Sequence, residues 1–404
     1  MYKTKLSSLA LMTAFLVSGC GSQTNDGMQI KIKNPANGSP LSQVINVPLN
    51  NQVSMQTQYK SDHNAKVELV DNDQDGQADT ARLLVNVAPG QQQTLQLTAD
   101  NNVTLADMAH VELSRRTGGH WDGKDYKADA FTFEPVDHFV TPPQLTDHSY
   151  YLRYEGPGWE NDKIGFRLYL DWRNAIDIYG KKTSDMVLPG VGLDGYESYH
   201  HSSDWGQDVL KVGKALGVGA LGRLDGDNVM HFQQHENMTY QQLTNDKLSA
   251  SFSVDYKNWT VGDKTIDLST HYQVNAGDNG ATITASTSEP VDNLVTGLVK
   301  HPNTVKLQKR GETWGYIARY GKQSLAGDDD ELGFALFYRV DQVERLLDGQ
   351  YDDLVQFKPS SDSIEYHIVA LWPQGVQPQK TQQQFAELLD QELAKLQHPV
   401  TQVN

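Results

Sequence analysis

Residues 163–171 read KIGFRLYLD. Ile164, Phe166, Leu168 and Leu170 fall on one side of this stretch, and Lys163, Arg167, Tyr169 and Asp171 on the other. A repeat of two belongs to a β-strand, because a helix brings like residues together every three to four. The same alternation recurs up and down the chain, in "MQIKIKN", "SQVINVPL", "AKVELVDN", "ARLLVNVA" and "QTLQLTA" before residue 100. After residue 240 it returns in "LSASFSVDY", "TIDLSTHYQV", "ATITAS", "TWGYIARYG", "LGFALFYRV" and "IEYHIVALW". Two helices are expected. Val340, Val343, Leu346 and Leu347 before Gly349 have helical spacing. Thr381 and Gln384 form a capping box ahead of Phe385, Leu388, Leu389, Leu393 and Leu396, with Pro399 as a stop. Many short strands and few helices predict a mainly all-β chain, a large antiparallel β-sandwich with a smaller N-terminal β-domain and a C-terminal helix. The expected divisions are a leader at 1–19, a tether at 20–27, the N-terminal β-domain at 28–116 and the main sandwich at 117–404.

The leader reads as an address. Lys3 and Lys5 precede an apolar core from Leu6 to Val17, and Val17-Ser18-Gly19-Cys20 is a small-residue cleavage site ending in cysteine. This is a lipoprotein-type secretory signal, too short to span a membrane. Cys20 is the only cysteine of 404 residues, so a lipid on it leaves no disulfide, thiol nucleophile or Cys metal site. Gly21 after Cys20 favours outer-membrane sorting, with the membrane reached through the lipid. The formal charge is −17, and loss of Lys3 and Lys5 with the leader takes it to −19. That sign argues against a nucleic-acid partner, and any anionic ligand must meet a locally positive pocket. Residues 150–214 carry eight basic and ten acidic side chains, which is close to neutral within a strongly acidic protein.

Chemistry concentrates in that stretch. Trp159 and Glu160 follow a Gly-Pro-Gly turn, and Arg167, Tyr169, Asp171, Arg173 and Asp177 share one side. Such a face either meets solvent or lines a polar cleft, since burial against apolar groups is costly. Then "SYHHSSDWGQDVLKVGKALGVGALG", 198–222, gathers Tyr199, His200, His201, Asp204, Trp205 and Asp208 ahead of a glycine-punctuated run. It is either a turn into a buried segment or the rim of an active site. His231 and His235 have metal-face spacing, but "HFQQHE" lacks the zincin glutamate. Asp71, Asp73 and Asp75 with Gly76 open like a calcium loop, and a structural Ca²⁺ would sit there. Arg82 stands where the bidentate glutamate is expected, so a hairpin turn explains the same residues. The glycines of "GKALGVGALG" fit close backbone packing better than phosphate binding.

The passages "EGPGWENDKIGFRLYLDWRNAIDIYGKK" (155–182), "SYHHSSDWGQDVLKVGKALGVGALG" (198–222), "VTGLVKH" (295–301) and "ALWPQG" (370–375) resemble a bacterial secreted family, domain of unknown function four-eight-six-one, over roughly residues 28–395. The resemblance implies a sandwich of the galactose-mutarotase-like supersandwich type. It also implies an accessory role in using uronate-containing polysaccharides such as ulvan or pectin. One branch looks like oligosaccharide dehydratases acting on an unsaturated uronate.

Elimination beside a uronate carboxylate needs three groups: a cation on the carboxylate, a base for the α-proton and an acid for the departing oxygen. From the residues themselves, Arg173 or Lys181 would meet the carboxylate, His200 or His201 would be the base, and Tyr199 the acid. Asp204 would orient an imidazole, while Trp159, Glu160, Arg167 and Trp205 would hold the sugar. The expected partner is an anionic oligo- or polysaccharide and the expected activity a carbon–oxygen lyase, either dehydratase or polysaccharide lyase. Two alternatives stay open: a non-catalytic oligosaccharide-binding surface lipoprotein, and a glycoside hydrolase using Glu160 with Asp171 or Asp204 with Asp208.

Overall fold

A computed structural model describes residues 27–403. The expected signal peptide, the Cys20 anchor and all of the tether except Gly27 lie outside the described residues. Within them, no helix is long and apolar enough to cross a membrane.

The centre is a nine-stranded antiparallel sheet. It runs in the order His138–Val140, Asn237–Asn245, Ser249–Val261, Lys264–Asn275, Gly280–Thr287, Ile364–Leu371, Glu331–Arg339, Trp314–Lys322 and Thr304–Arg310. Two five-stranded sheets share its main core. One consists of Ala109–Glu112, Gly158–Asn161, Ile164–Leu168, Ile176–Lys181 and Gly206–Asp208. The other consists of Asn228–Met230, Val218–Asp225, Leu294–Val299, Asp352–Phe357 and Val343–Asp348. A parallel bridge between Ile176 and Gly217 joins the two. Gly217 has φ +77, and a Cβ there would lie 2.0 Å from the Ile176 carbonyl oxygen. Gly219, at φ +84, would meet Ile368 at 2.4 Å. The glycine run thus serves close packing, because only glycine tolerates both the left-handed backbone and the contact.

The C-terminal helix, Gln382–Gln397, starts as the capping pattern predicts. The Gln384 amide donates to the Thr381 hydroxyl at 3.3 Å, and the Gln384 side chain accepts from the Lys380 amide at 2.8 Å. Phe385, Leu389 and Leu393 close a second core with Tyr316, Tyr320 and Phe337 of the nine-stranded sheet. The N-terminal β-body has a four-stranded and a three-stranded sheet around Ile30, Ile32, Leu83, Leu95 and Leu97. Its four-stranded sheet is completed by the chain's last strand, Thr401–Gln402, paired with Met28–Lys33. Leu105, Leu248 and Ala276 pack with Val44 and Leu84 between the two bodies. Arg82 reaches across to Asp246 at 2.8 Å. The strand Ala109–Glu112 pairs with Gly158–Asn161 of the larger body.

The helix expected over 340–347 does not form. Val343–Asp348 is an edge strand paired with Asp352–Phe357, with Leu346 37% exposed. Spacings of three and four around a β-bulge mimic a helical face, and pairing to a fully buried neighbour strand decides the outcome.

Asp352 sits at the start of that neighbour and is 2% exposed. It accepts from the Leu216 amide at 2.9 Å. Burial first, and the nearby Asp353 charge after it, push its carboxyl from 3.8 up to about 7 against that hydrogen bond. Below both values the carboxyl is protonated in folded and unfolded chains alike. As pH rises toward 7 only the unfolded chain ionises, so native stability falls by about 1.4 kcal/mol per pH unit. Asp352→Asn keeps the acceptor and removes the titration. Denaturant unfolding at pH 5 and pH 8 should show the variant gaining on the wild type at the higher pH. An equal difference at both values would refute this assignment.

Candidate functional site

The strand that opened the sequence reading is buried on both sides. Register explains how. Arg167 lies opposite Asp177 and Gly158, Gly158 opposite Glu112, and Tyr179 opposite Asp208. Residues in register share a face. Glu112, Glu160, Arg167, Asp177, Tyr179, Lys181 and Asp208 therefore line one side of the five-stranded sheet, while Val111, Trp159, Phe166 and Ile178 fill the core on the other. The polar side is roofed by the chain from 182 to 205, whose Leu188, Val191 and Tyr199 pack with Tyr154 and Tyr179. The face meets neither solvent nor an open cleft: it is closed under this roof as a buried polar layer, with His200 at its edge.

Two ionic nodes lie under the roof. In the first, Arg167 donates to Asp177 at 2.7 and 3.1 Å, and to Asp208 at 2.8 Å. Tyr169 donates its hydroxyl proton to Asp177 at 2.7 Å. Burial and the adjacent Asp208 charge raise the Asp177 carboxyl, Arg167 notwithstanding. Arg167 Nη1 and the hydroxyls of Tyr179 and Tyr199 are buried without hydrogen-bond partners. Three unpaired polar atoms beside one guanidinium are costly unless something else meets them. In the second node, Lys181 is paired with Glu160 and also donates to the Asn161 carbonyl at 2.6 Å. Glu160 in turn accepts from the amides of Val187 and Leu188, both at 2.7 Å.

His200 ends the short turn Ser198–His200 and stands at the rim, its side chain 27% exposed. Its Nδ1 lies 3.1 Å from Asp208 Oδ2, the oxygen that also accepts from Arg167. This contact fixes the ring and leaves Nε2 as the nitrogen Asp208 does not engage. Around it are Tyr199, with ring centroids 4.5 Å apart, and Tyr196, at 5.1 Å. Tyr196 reaches His148 Nε2 at 3.1 Å and packs edge-on against the exposed Tyr150. Burial pushes the Tyr199 hydroxyl well above the phenol range, so it stays protonated. Tyr196 is pushed up to about 12, by burial and then by Glu155. Arg173 donates to Glu155 at 2.7 Å and is paired with Asp171. Burial alone would raise Glu155, but Arg173 and Arg167 outweigh it and hold that carboxyl low. Both guanidiniums stack on Tyr169, Arg173 at 4.2 Å and Arg167 at 4.9 Å from the ring centroid.

Several expectations need correction. Trp159 is 1% exposed and stacks on Phe166 at 5.6 Å within the core, so it has no face for a sugar. Glu160 and Lys181 neutralise each other at zero exposure, which removes Lys181 from carboxylate binding and Glu160 from any hydrolytic pair. Asp204 is exposed, and the carboxylate at the imidazole is Asp208. His201 is exposed beside His200, as neighbouring residues that point apart should be. Trp205 is half-buried, edge-on to Tyr179 at 5.8 Å. Arg167 belongs to the buried node, and Tyr199 is buried between that node and His200, which leaves the part-exposed Tyr196 as the phenol beside the imidazole. Tyr179 and Tyr196 carried no sequence signal beyond being aromatic. Asp208 was legible as the last residue of a short strand eight places after His200.

The acidic turn lies elsewhere, in the hairpin between Lys66–Val70 and Gln77–Val85. Asp71, Asp73 and Asp79 converge there within 4.8 Å, without Asp75, which caps the Gln77 amide at 2.8 Å. Asp71 accepts from the amides of Asp75 and Gly76 at 3.2 and 2.8 Å, which closes the hairpin.

Among curated proteins the chain is similar to "Uncharacterized protein P7" of Formosa agariphila. They are 25% identical over 197 residues, 44% of this chain and 48% of that protein. Among solved structures it is similar to a glycosyl hydrolase family 38 protein and to an α-mannosidase, both from Enterococcus faecalis. Each has TM-score 0.40 and 8% identity. They cover 95% and 94% of this chain, and 48% and 46% of their own. The chain thus spans about half the length of these relatives. The family described as Domain of unknown function (DUF4861) matches residues 32–401, and the chain belongs to that family.

Proposed function

We propose that this protein is a carbohydrate-active carbon–oxygen lyase that acts by elimination on uronic-acid-containing oligo- or polysaccharide. The observation that carries the reading is the relay His200–Asp208–Arg167: a rim imidazole held through Nδ1 by a carboxylate that a buried guanidinium fixes. An oriented imidazole beside a protonated phenol is the base and acid that elimination requires. His200 Nε2 takes the proton α to the carboxylate, and the electron pair of that C–H bond forms the new double bond. The β-carbon–oxygen bond breaks as Tyr196, the part-exposed phenol beside His200, gives its proton to the departing oxygen. Arg173, paired with Glu155 and Asp171 and with 16% of its side chain exposed, is the cation that the uronate carboxylate shares with them. Departure of water makes the enzyme a dehydratase, and departure of a sugar makes it a polysaccharide lyase.

The test is ultraviolet absorbance during incubation with uronate oligosaccharides from ulvan, pectin and alginate, with mass spectrometry of the products. Changed absorbance with loss of water, or with chain scission, supports elimination. Scission with water added and no change in absorbance would replace it with hydrolysis. Binding without any product would leave a surface binding protein. We propose that a lipid on Cys20 anchors the protein at the outer membrane, on the lipoprotein-type signal that precedes it. Cys20→Ala is then expected to shift it from the membrane fraction to the soluble fraction, and an unchanged membrane fraction would refute the anchor.

A further inference from the structure

A cavity of about 280 Å³ opens on the far side of Arg173, between the loop at Trp172 and Arg173, the segment 213–215, the hairpin at 227–229 and the turn at 350–352. That is near the lower end of the roughly 300–1,000 Å³ typical of ligand pockets. Two of its walls are aromatic and open to solvent: Trp172 is 37% exposed and Tyr351 41%. Trp172 is held by a hydrogen bond, its indole donating to Asp147 at 3.3 Å, and Tyr351 has a cation near its ring, the Lys214 ammonium 6.0 Å from the centroid. His231 is a brace, with Nδ1 2.6 Å from the Arg173 carbonyl oxygen and Nε2 3.3 Å from that of Lys214.

Of the exposed large apolar side chains, Trp172 and Tyr351 stand apart because both line one cavity. Flat aromatic faces with amide and carboxyl groups around them suit a ring that is apolar on its faces and hydroxylated at its edge. The lining carries side chains of both signs, Arg173 and Lys214 with Asp227 and Asp352. Arg173 is further committed to Glu155 and Asp171. Nothing here favours an anion over an uncharged ring.

We infer that this cavity is a second sugar subsite, which takes an uncharged pyranose stacked on Trp172 and Tyr351, with its hydroxyls met by Asn228, Gln233 and Gln350. Arg173 is the shared wall, since it lines the cavity and stacks on Tyr169 beside the Arg167 node. That the adjoining ring is the uronate presented to His200 rests on the elimination reading; sugar binding in the cavity does not. Together they name the substrate class as an acidic oligosaccharide with a uronate next to an uncharged ring.

Calorimetry on the full chain tests this with four probes: tetrasaccharides of hyaluronan, of ulvan and of galacturonate, and cellotetraose. A probe containing an uncharged ring is expected to bind. Trp172→Ala and Tyr351→Ala should each weaken it about tenfold, while Tyr351→Phe keeps wild-type affinity. Both positions are solvent-facing, and an unchanged melting temperature in each variant confirms the fold. His201→Ala, an exposed side chain outside both sites, should bind like the wild type. Unchanged affinity in both alanine variants, or no binding of any probe, overturns the subsite. Binding that depends on Trp172 and Tyr351 but yields no product upholds the subsite and sinks the elimination reading instead.

Discussion

His200→Ala should lose about 10²–10⁴-fold in turnover of uronate oligosaccharides, with the fold unchanged. The two halves of this result have separate causes. His200 is the rim group whose ring a buried carboxylate orients, so its loss removes the base. Yet its removal orphans no charge, because Asp208 keeps its 2.8 Å contact with Arg167. The side chain sits on a turn and is 27% exposed, so little packing goes with it. His201→Ala is the control. That side chain is exposed, and its loss should leave the rate within about twofold. Asp208→Asn should fall between them, since it leaves the base in place and loosens its orientation. Initial rates by ultraviolet absorbance, with circular dichroism for the fold, decide the matter. Full activity in His200→Ala would end the assignment.

Lys181→Met should cost about 3–5 kcal/mol of stability. The reason is the partner left behind: Glu160, with no exposure at all, would keep its charge without a counter-ion. The same carboxylate holds the amides of Val187 and Leu188, so the loss spreads to the roof over the polar face. The double variant Lys181→Met/Glu160→Gln removes the stranded charge and keeps an oxygen for both amides. It should recover part of the loss. Denaturant midpoints for the two single variants and the double variant measure the coupling. A loss below about 1 kcal/mol in Lys181→Met would show that the pair is not what holds the roof.

The strands were legible because alternation survives in each of them locally. "TIDLSTHYQV" and "LGFALFYRV" need no knowledge of their neighbours. The edge strand Val343–Asp348 was not legible, since its partner lies beyond a turn and its own residues fit two periods. The site divides in the same way. His200, Tyr199, Arg167 and Arg173 were visible as a density of chemistry in one stretch. Which acid serves His200 was hidden, because Asp208 reaches the ring only through strand pairing with Tyr179. Trp159 misled for a similar reason. An aromatic after a Gly-Pro-Gly turn reads as exposed, and only the Phe252 and Tyr272 rings packed against it show that it faces inward.

The closing strand Thr401–Gln402 has a mechanical consequence. The polypeptide leaves the N-terminal body near residue 100 and comes back to it after the helix, so two covalent straps, not one, join the bodies. Val400 adds a hydrogen bond to Gln43 at 3.0 Å where the second strap lands. Parting the bodies therefore means peeling the closing strand from its sheet as well as breaking the packing of Leu105, Leu248 and Ala276 and the Arg82–Asp246 pair.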